Sequence, residues 1–99
     1  MKTRSGTVET AKPWQIEITR TATRQITKLD GEAQKSIQRF LRERLTTADN
    51  PRQWGKALHG DKRSLWRYRV GDYRLICDIQ DEKVTVLLLE VGHRKDVYR

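Results

Sequence analysis

LWRYRVGDYRLICD, residues 65–78, holds two strand-like runs separated by Gly71-Asp72. A Gly-Asp pair between alternating runs is a two-residue hairpin signal. With Gly71 and Asp72 as the loop, Val70 faces Tyr73 and Arg69 faces Arg74. Side chains alternate along a strand. Arg67, Arg69 and Arg74 therefore share one sheet face, and Trp66, Tyr68, Val70, Leu75, Cys77 and Ile79 share the other. A third run, Lys83–Val91, follows the weaker turn signal Asp81-Glu82. Its alternation places Val84, Val86 and Leu88 on the apolar face.

Working toward the N-terminus, Pro51 closes a helical pattern. In that pattern Ala33, Ile37, Phe40, Leu41 and Leu45 recur at helical spacing, Asp30 is placed to cap the start, and Glu32 complements the helix dipole. Before it, Thr19 can cap a shorter helix whose stripe is Ala22, Ile26 and Leu29. Trp14, Ile16 and Ile18 alternate with Gln15 and Glu17, the pattern of a half-buried strand. Residues 52–64 read as a connection, and residues 1–12, polar and Thr-rich, as a mobile arm preceding one domain over 13–99. The order predicts an α+β fold: an N-terminal strand, a helical hairpin, then a three-stranded antiparallel meander, all in one mainly antiparallel sheet with the helices on its apolar face.

The chain has 99 residues, 21 Lys and Arg against 13 Asp and Glu, and a formal charge of +8. That balance favours a polyanionic partner, nucleic acid first. The single cysteine, Cys77, excludes an intrachain disulfide and reads as a small buried hydrophobe. No stretch has membrane-spanning length, and the first residues lack the apolar core of a signal peptide, so a cytoplasmic protein is expected.

Two arginines directly opposed across a hairpin repel each other. A phosphate between them would relieve the repulsion, since guanidinium suits bidentate contact with phosphate. A solvated face on which the arginines splay apart fits the same pattern. The chain ends in Gly92-His93-Arg94-Lys95-Asp96-Val97-Tyr98-Arg99. His93 exchanges protons near neutrality, and Tyr98 can stack on a base or move a proton. Both are expected beside the arginine face. His59, flanked by Gly60 in the connection, has no such company and reads as structural or solvent-exposed.

The hairpin LWRYRVGDYRLICD, the ending VLLLEVGHRKDVYR, the opening ITRTATRQITKLD and the connection NPRQWGKALHG together resemble the RelE/ParE toxin superfamily from about Trp14 to Arg99, and the RelE type in particular. The resemblance implies the strand–helix–helix–meander fold. It also implies a toxin that enters the A site of the 30S ribosomal subunit and cleaves bound mRNA, with no metal or other cofactor, by attack of a ribose 2′-hydroxyl on the adjacent phosphate. Carried over residue by residue, it implies RNA-binding roles for Arg67 and Arg69 and catalytic roles for Arg74, Arg94 and Tyr98; Lys95, positive charge at the same C-terminal stretch, is expected to bind RNA as well. The family often has lysine where Arg67 and Arg69 stand. Arginine keeps the charge but is a poor general base. His93, at a position often basic in the family, is the expected replacement for that proton-transfer capacity. The implied partner is a small acidic RelB-like antitoxin, with the ribosome and mRNA as targets and no membrane. Two other readings share the fold or the charge: a ParE-like inhibitor of DNA gyrase without nuclease activity, and a non-catalytic basic RNA-binding module. The few aromatics left for an exposed stacking platform weigh against the second.

Overall fold

The computed structural model describes residues 14–47, 49–58 and 65–93. The arm expected at 1–12 lies outside them, as do His59, Arg94, Lys95 and Tyr98. The elements are β1 (Gln15–Ile18), α1 (Arg20–Thr27), α2 (Gly31–Arg39), β2 (Lys56–Ala57), β3 (Leu65–Val70), β4 (Tyr73–Gln80) and β5 (Thr85–His93). They build a five-stranded sheet of order β1-β5-β4-β3-β2. The fold is the expected α+β arrangement, with mixed pairing at one edge: β1 runs parallel to β5, and the remaining pairs are antiparallel.

Both helix caps form. The Thr19 hydroxyl accepts from the Ala22 N–H at 3.0 Å, and Asp30 Oδ1 accepts from the Ala33 N–H at 2.8 Å. Each satisfies a donor that the first helical turn leaves without an intrahelical partner. Ala22 and Ile26 of α1, with Ile37, Leu41 and Leu45 from α2 and its continuation, pack on Tyr68, Leu75, Cys77, Val86, Leu88 and Val91 of the sheet. Cys77 is fully buried there, as its apolar run requires, and burial pushes its thiol pKa up. Beyond Arg39 the second helix changes winding and runs as a π-helical turn over Phe40–Leu45. The cause is local. The Thr46 hydroxyl donates to the Arg42 carbonyl, four residues back, while the Thr46 N–H reaches Leu41 O at 3.2 Å, five residues back. Threonine bonding of this kind competes with the α-helical ladder.

The structure departs from the expected pattern at three other places. A short strand, β2, appears inside the presumed connection, pairing Lys56 with Arg67 and Ala57 with Trp66. The turn between β4 and β5 is a 3₁₀ turn over Asp81–Lys83, and Val84 leaves it with φ +49. Val84 therefore precedes β5 rather than starting its apolar row. The third departure is a β-bulge. Ile76 pairs with Glu90 but Cys77 pairs with Leu88, so Leu89 is an additional residue on β5. Two bonds from α1 and its N-cap brace this stretch: the Thr19 hydroxyl donates to Leu89 O at 3.0 Å, and the Val91 N–H donates to Gln25 Oε1 at 2.6 Å. Pairing with β1 ends at Ile18–Leu88, so Gln25 satisfies a backbone donor past the end of that strand.

β2 depends on Gly55. Its φ is +77, and a Cβ there would lie 2.3 Å from Arg67 O and 2.9 Å from the rings of Trp66 and Tyr68. Gly55→Ala therefore combines backbone strain with a clash against the β3 backbone. The expected loss is at least about 2 kcal/mol of unfolding free energy, read from denaturant titration.

Candidate functional site

Cross-strand register sorts the site into rows on the sheet face away from the helices. One row is Arg69 on β3, Arg74 on β4 and Gly92 on β5. The next is Lys56 on β2, Arg67 on β3, Ile76 on β4 and Glu90 on β5. A third is Leu65, Asp78 and Leu87. Arg69 is exposed, and Arg67 and Arg74 are half-buried. The hairpin turn that sets this register has Gly71 at φ +59, a conformation open to glycine. Thus the expected grouping of Arg67, Arg69 and Arg74 is present, with Arg69 and Arg74 directly opposed. Lys56 joins the group. Sequence inspection missed it because a two-residue strand has no periodicity to detect.

The last strand differs from expectation. Simple alternation from Val86 and Leu88 carries position 90 toward the helices and position 93 toward the arginines. The bulge at Leu89 inverts that parity. Val91 is buried, Glu90 is exposed, and His93 pairs with Tyr73. The His93 and Tyr73 rings meet edge-on, with centroids 5.7 Å apart and planes at 79°. Tyr73 packs against the core, so His93 lies on the helix-facing side of the sheet. The expectation that His93 stands beside the arginine face is corrected on this point. Glu90 takes the arginine side instead. A signal was present in the sequence: a carboxylate at position 90, inside the run VLLLEVG, would be buried by unbroken alternation.

Asp78 is the second carboxylate of this face. Its Oδ2 accepts from Gln80 Nε2 at 3.2 Å. Among the described residues its Oδ1 is buried without a hydrogen-bond partner. The core tyrosine Tyr68, which lies between Arg67 and Arg69 in β3, is committed elsewhere. Its hydroxyl donates to Pro51 O at 2.8 Å, and burial pushes its pKa well above the usual phenol value. Beside the β3 edge, Arg39, Phe40, Arg44, Trp54, Tyr68 and Arg69 are among the residues lining an open cleft of about 420 Å³. The Arg44 guanidinium lies 5.8 Å from the Trp54 ring centre there.

Comparison with known families decides the broader question. Residues 16–98 match the family described as the ParE toxin of type II toxin-antitoxin systems, parDE. The chain belongs to the RelE/ParE toxin superfamily. It is 34% identical over 87 residues to Toxin RelG of Mycobacterium tuberculosis, covering 88% of this chain and 98% of that protein. It is 31% identical to Toxin RelE of the same organism, with 88% of each chain covered. The fold matches a chain of the M. tuberculosis RelBE2 toxin–antitoxin complex at a TM-score of 0.74 and 33% identity, over 85% of this chain and 94% of that one. The isolated E. coli RelE toxin, at a TM-score of 0.66 and 24% identity, covers 86% of this chain and 90% of its own and shares the fold. This RelE/ParE protein is accordingly a toxin of the type II class and the RelE family. No helix among the described residues is long and apolar enough to cross a membrane.

Arg69 and Arg74 are directly opposed, and like charges across a strand pair repel, a term that a neutral side chain at position 69 removes. Arg69→Gln is expected to raise unfolding free energy by a few tenths to about 1 kcal/mol at low salt, the usual scale of a cross-strand charge pair. The gain should shrink as ionic strength rises, because salt screens the repulsion. Paired denaturation curves at low and high salt measure it.

Proposed function

We propose that this toxin is a ribosome-dependent, metal-independent endoribonuclease that cleaves mRNA in the A site of the 30S subunit by 2′-hydroxyl attack, and so inhibits translation. The observation that carries the reading is the direct opposition of Arg69 and Arg74, with Arg67 and Lys56 one row away on the same face. Like charges held across a strand pair are unfavourable in the free protein and become favourable once a phosphate sits between them. In the reaction the phosphate gains negative charge as the 2′-oxygen attacks. Guanidinium groups fixed on two strands stabilise that charge with little reorganisation. Arg67 and Lys56 are suited to hold the neighbouring backbone phosphates. Arg94, Lys95 and Tyr98, outside the described residues, complete the site in this reading.

The partner in this reading is a small acidic RelB-like antitoxin that neutralises the basic surface. It is supported by the solved RelBE complexes of M. tuberculosis and of Pyrococcus horikoshii OT3. A ribosomal target places the toxin in the cytoplasm. A second reading, gyrase inhibition without nuclease chemistry, has one observation in its favour: the matched family is described as ParE.

The test is a translation reaction with purified toxin, mapping mRNA ends, run beside a gyrase supercoiling assay. Cleavage of ribosome-bound mRNA with unaltered supercoiling is expected. Arg74→Ala should lower the cleavage rate about 10²–10³-fold, the scale for losing one preorganised charge-stabilising donor, with the folded structure retained. Unchanged cleavage by an Arg69→Ala, Arg74→Ala double variant would overturn the phosphate-clamp reading. Inhibited supercoiling without mRNA cleavage would select the ParE-like alternative.

A further inference from the structure

The arginine face needs a group that accepts the proton of the attacking 2′-hydroxyl. Arginine does not deprotonate in proteins. His93, the expected base, packs on Tyr73 on the far side of the sheet. Among the described residues of β3, β4 and β5, the arginine face offers two carboxylates, Asp78 and Glu90. Asp78 stands two rows from the Arg69–Arg74 pair, is half-buried, and is engaged by Gln80. Glu90 stands one row from that pair and is exposed.

The position of Glu90 is specific. It pairs with Ile76, so Arg74 and Asp78 are its diagonal neighbours on β4, and Arg67 lies across Ile76 on β3. Diagonal neighbours on one sheet face are about 7–8 Å apart, within reach of long side chains. On the other side of β5, pairing with β1 stops at Leu88, and the charged residue of β1, Glu17, stands level with Leu87. Gly92, opposite Arg74, adds only a hydrogen to the floor beside Glu90. A phosphate seated on Arg69 and Arg74 thus has a carboxylate beside it, on the β5 side.

We propose that Glu90 is the general base of the cleavage reaction. This rests on the endoribonuclease reading above. Glu90 takes the proton of the ribose 2′-hydroxyl as the 2′-oxygen forms a bond to phosphorus. The bond from phosphorus to the 5′-oxygen breaks, leaving a 2′,3′-cyclic phosphate, and the departing 5′-oxygen takes a proton from solvent. Glu90 then returns its proton to water. The flanking Arg74 and Arg67 hold the phosphate, while Asp78 and Glu17 stand farther from the reacting atoms.

The experiment is single-turnover cleavage of mRNA on purified ribosomes, followed across acidic and neutral pH, with wild type, Glu90→Gln, Glu90→Asp, His93→Ala and Glu17→Gln. Glu90→Gln should slow cleavage about 10²–10⁴-fold, the range for losing a general base. It should also abolish the acid limb that a carboxylate base imposes on the rate. Glu90→Asp keeps a carboxylate and should retain that limb at a reduced rate. Glu17→Gln and His93→Ala should cleave with the wild-type limb. Circular dichroism establishes that each variant is folded, and Glu90→Asp carries the test if the glutamine variant is not. Wild-type rate and an unchanged acid limb in Glu90→Gln, or an altered limb in His93→Ala, would overturn the assignment while leaving the ribonuclease reading intact. No cleavage by wild type would instead remove that reading.

Discussion

One additional residue in β5 determines what chemistry this fold can present. Val86 and Leu88 face the helices, and unbroken alternation from them would bury Glu90 and expose Val91. An unpaired carboxylate in the core costs several kcal/mol. Leaving a valine in water forgoes roughly 1.5–3 kcal/mol of burial. Both penalties vanish if Leu89 is looped out as a bulge, which interrupts the ladder at one position. The Thr19 hydroxyl and Gln25 side chain, bonded to Leu89 O and the Val91 N–H, hold the backbone in that form. The same event sends His93 to the helix side and Glu90 to the arginine side.

Much of this architecture was legible because it rests on short-range rules. Gly71-Asp72 set the hairpin, and the hairpin set the Arg69–Arg74 pair. Thr19 and Asp30 mark helix starts by chemistry that any reader of caps would find, and the Ile37, Leu41 and Leu45 stripe locates the buried face. The unread parts depend on long-range contacts or on local competition. β2 exists because Gly55 lets the chain come against Arg67 O, a tertiary fact with no periodic trace. The π-helical turn follows from Thr46 taking the Arg42 carbonyl, an option threonine offers but does not announce. Parity past Leu88 was misread because period-two reasoning assumes a continuous strand. Arg94, Lys95 and Tyr98 lie outside the described residues and remain assigned by resemblance.

A cationic face with a carboxylate set into it suits phosphate chemistry better than a uniformly basic face does. The arginines bring charge and shape for a phosphate, and they stay protonated while a proton is moved. In the proposed mechanism a glutamate beside them supplies the basicity they lack. His93 instead meets the Tyr73 ring edge-on, on the helix side of the sheet. The division of labour thus follows from the register rather than from residue type alone. In this sequence histidine is the more obvious proton-transfer candidate, and the bulge places it on the side of the sheet away from the arginines.

The facing of β5 is therefore the point on which the account stands, and a nuclear Overhauser spectrum of the folded toxin reads it directly. Cross-peaks between the His93 imidazole and Tyr73 ring protons are predicted, along with cross-peaks from the Glu90 side chain to Ile76 and Arg74 and none from Glu90 to Leu75 or Tyr68. Contacts from the His93 imidazole to the Arg69 or Arg74 side chains, with Glu90 protons seen against the core, would contradict the bulge and return the proton-transfer role to the histidine.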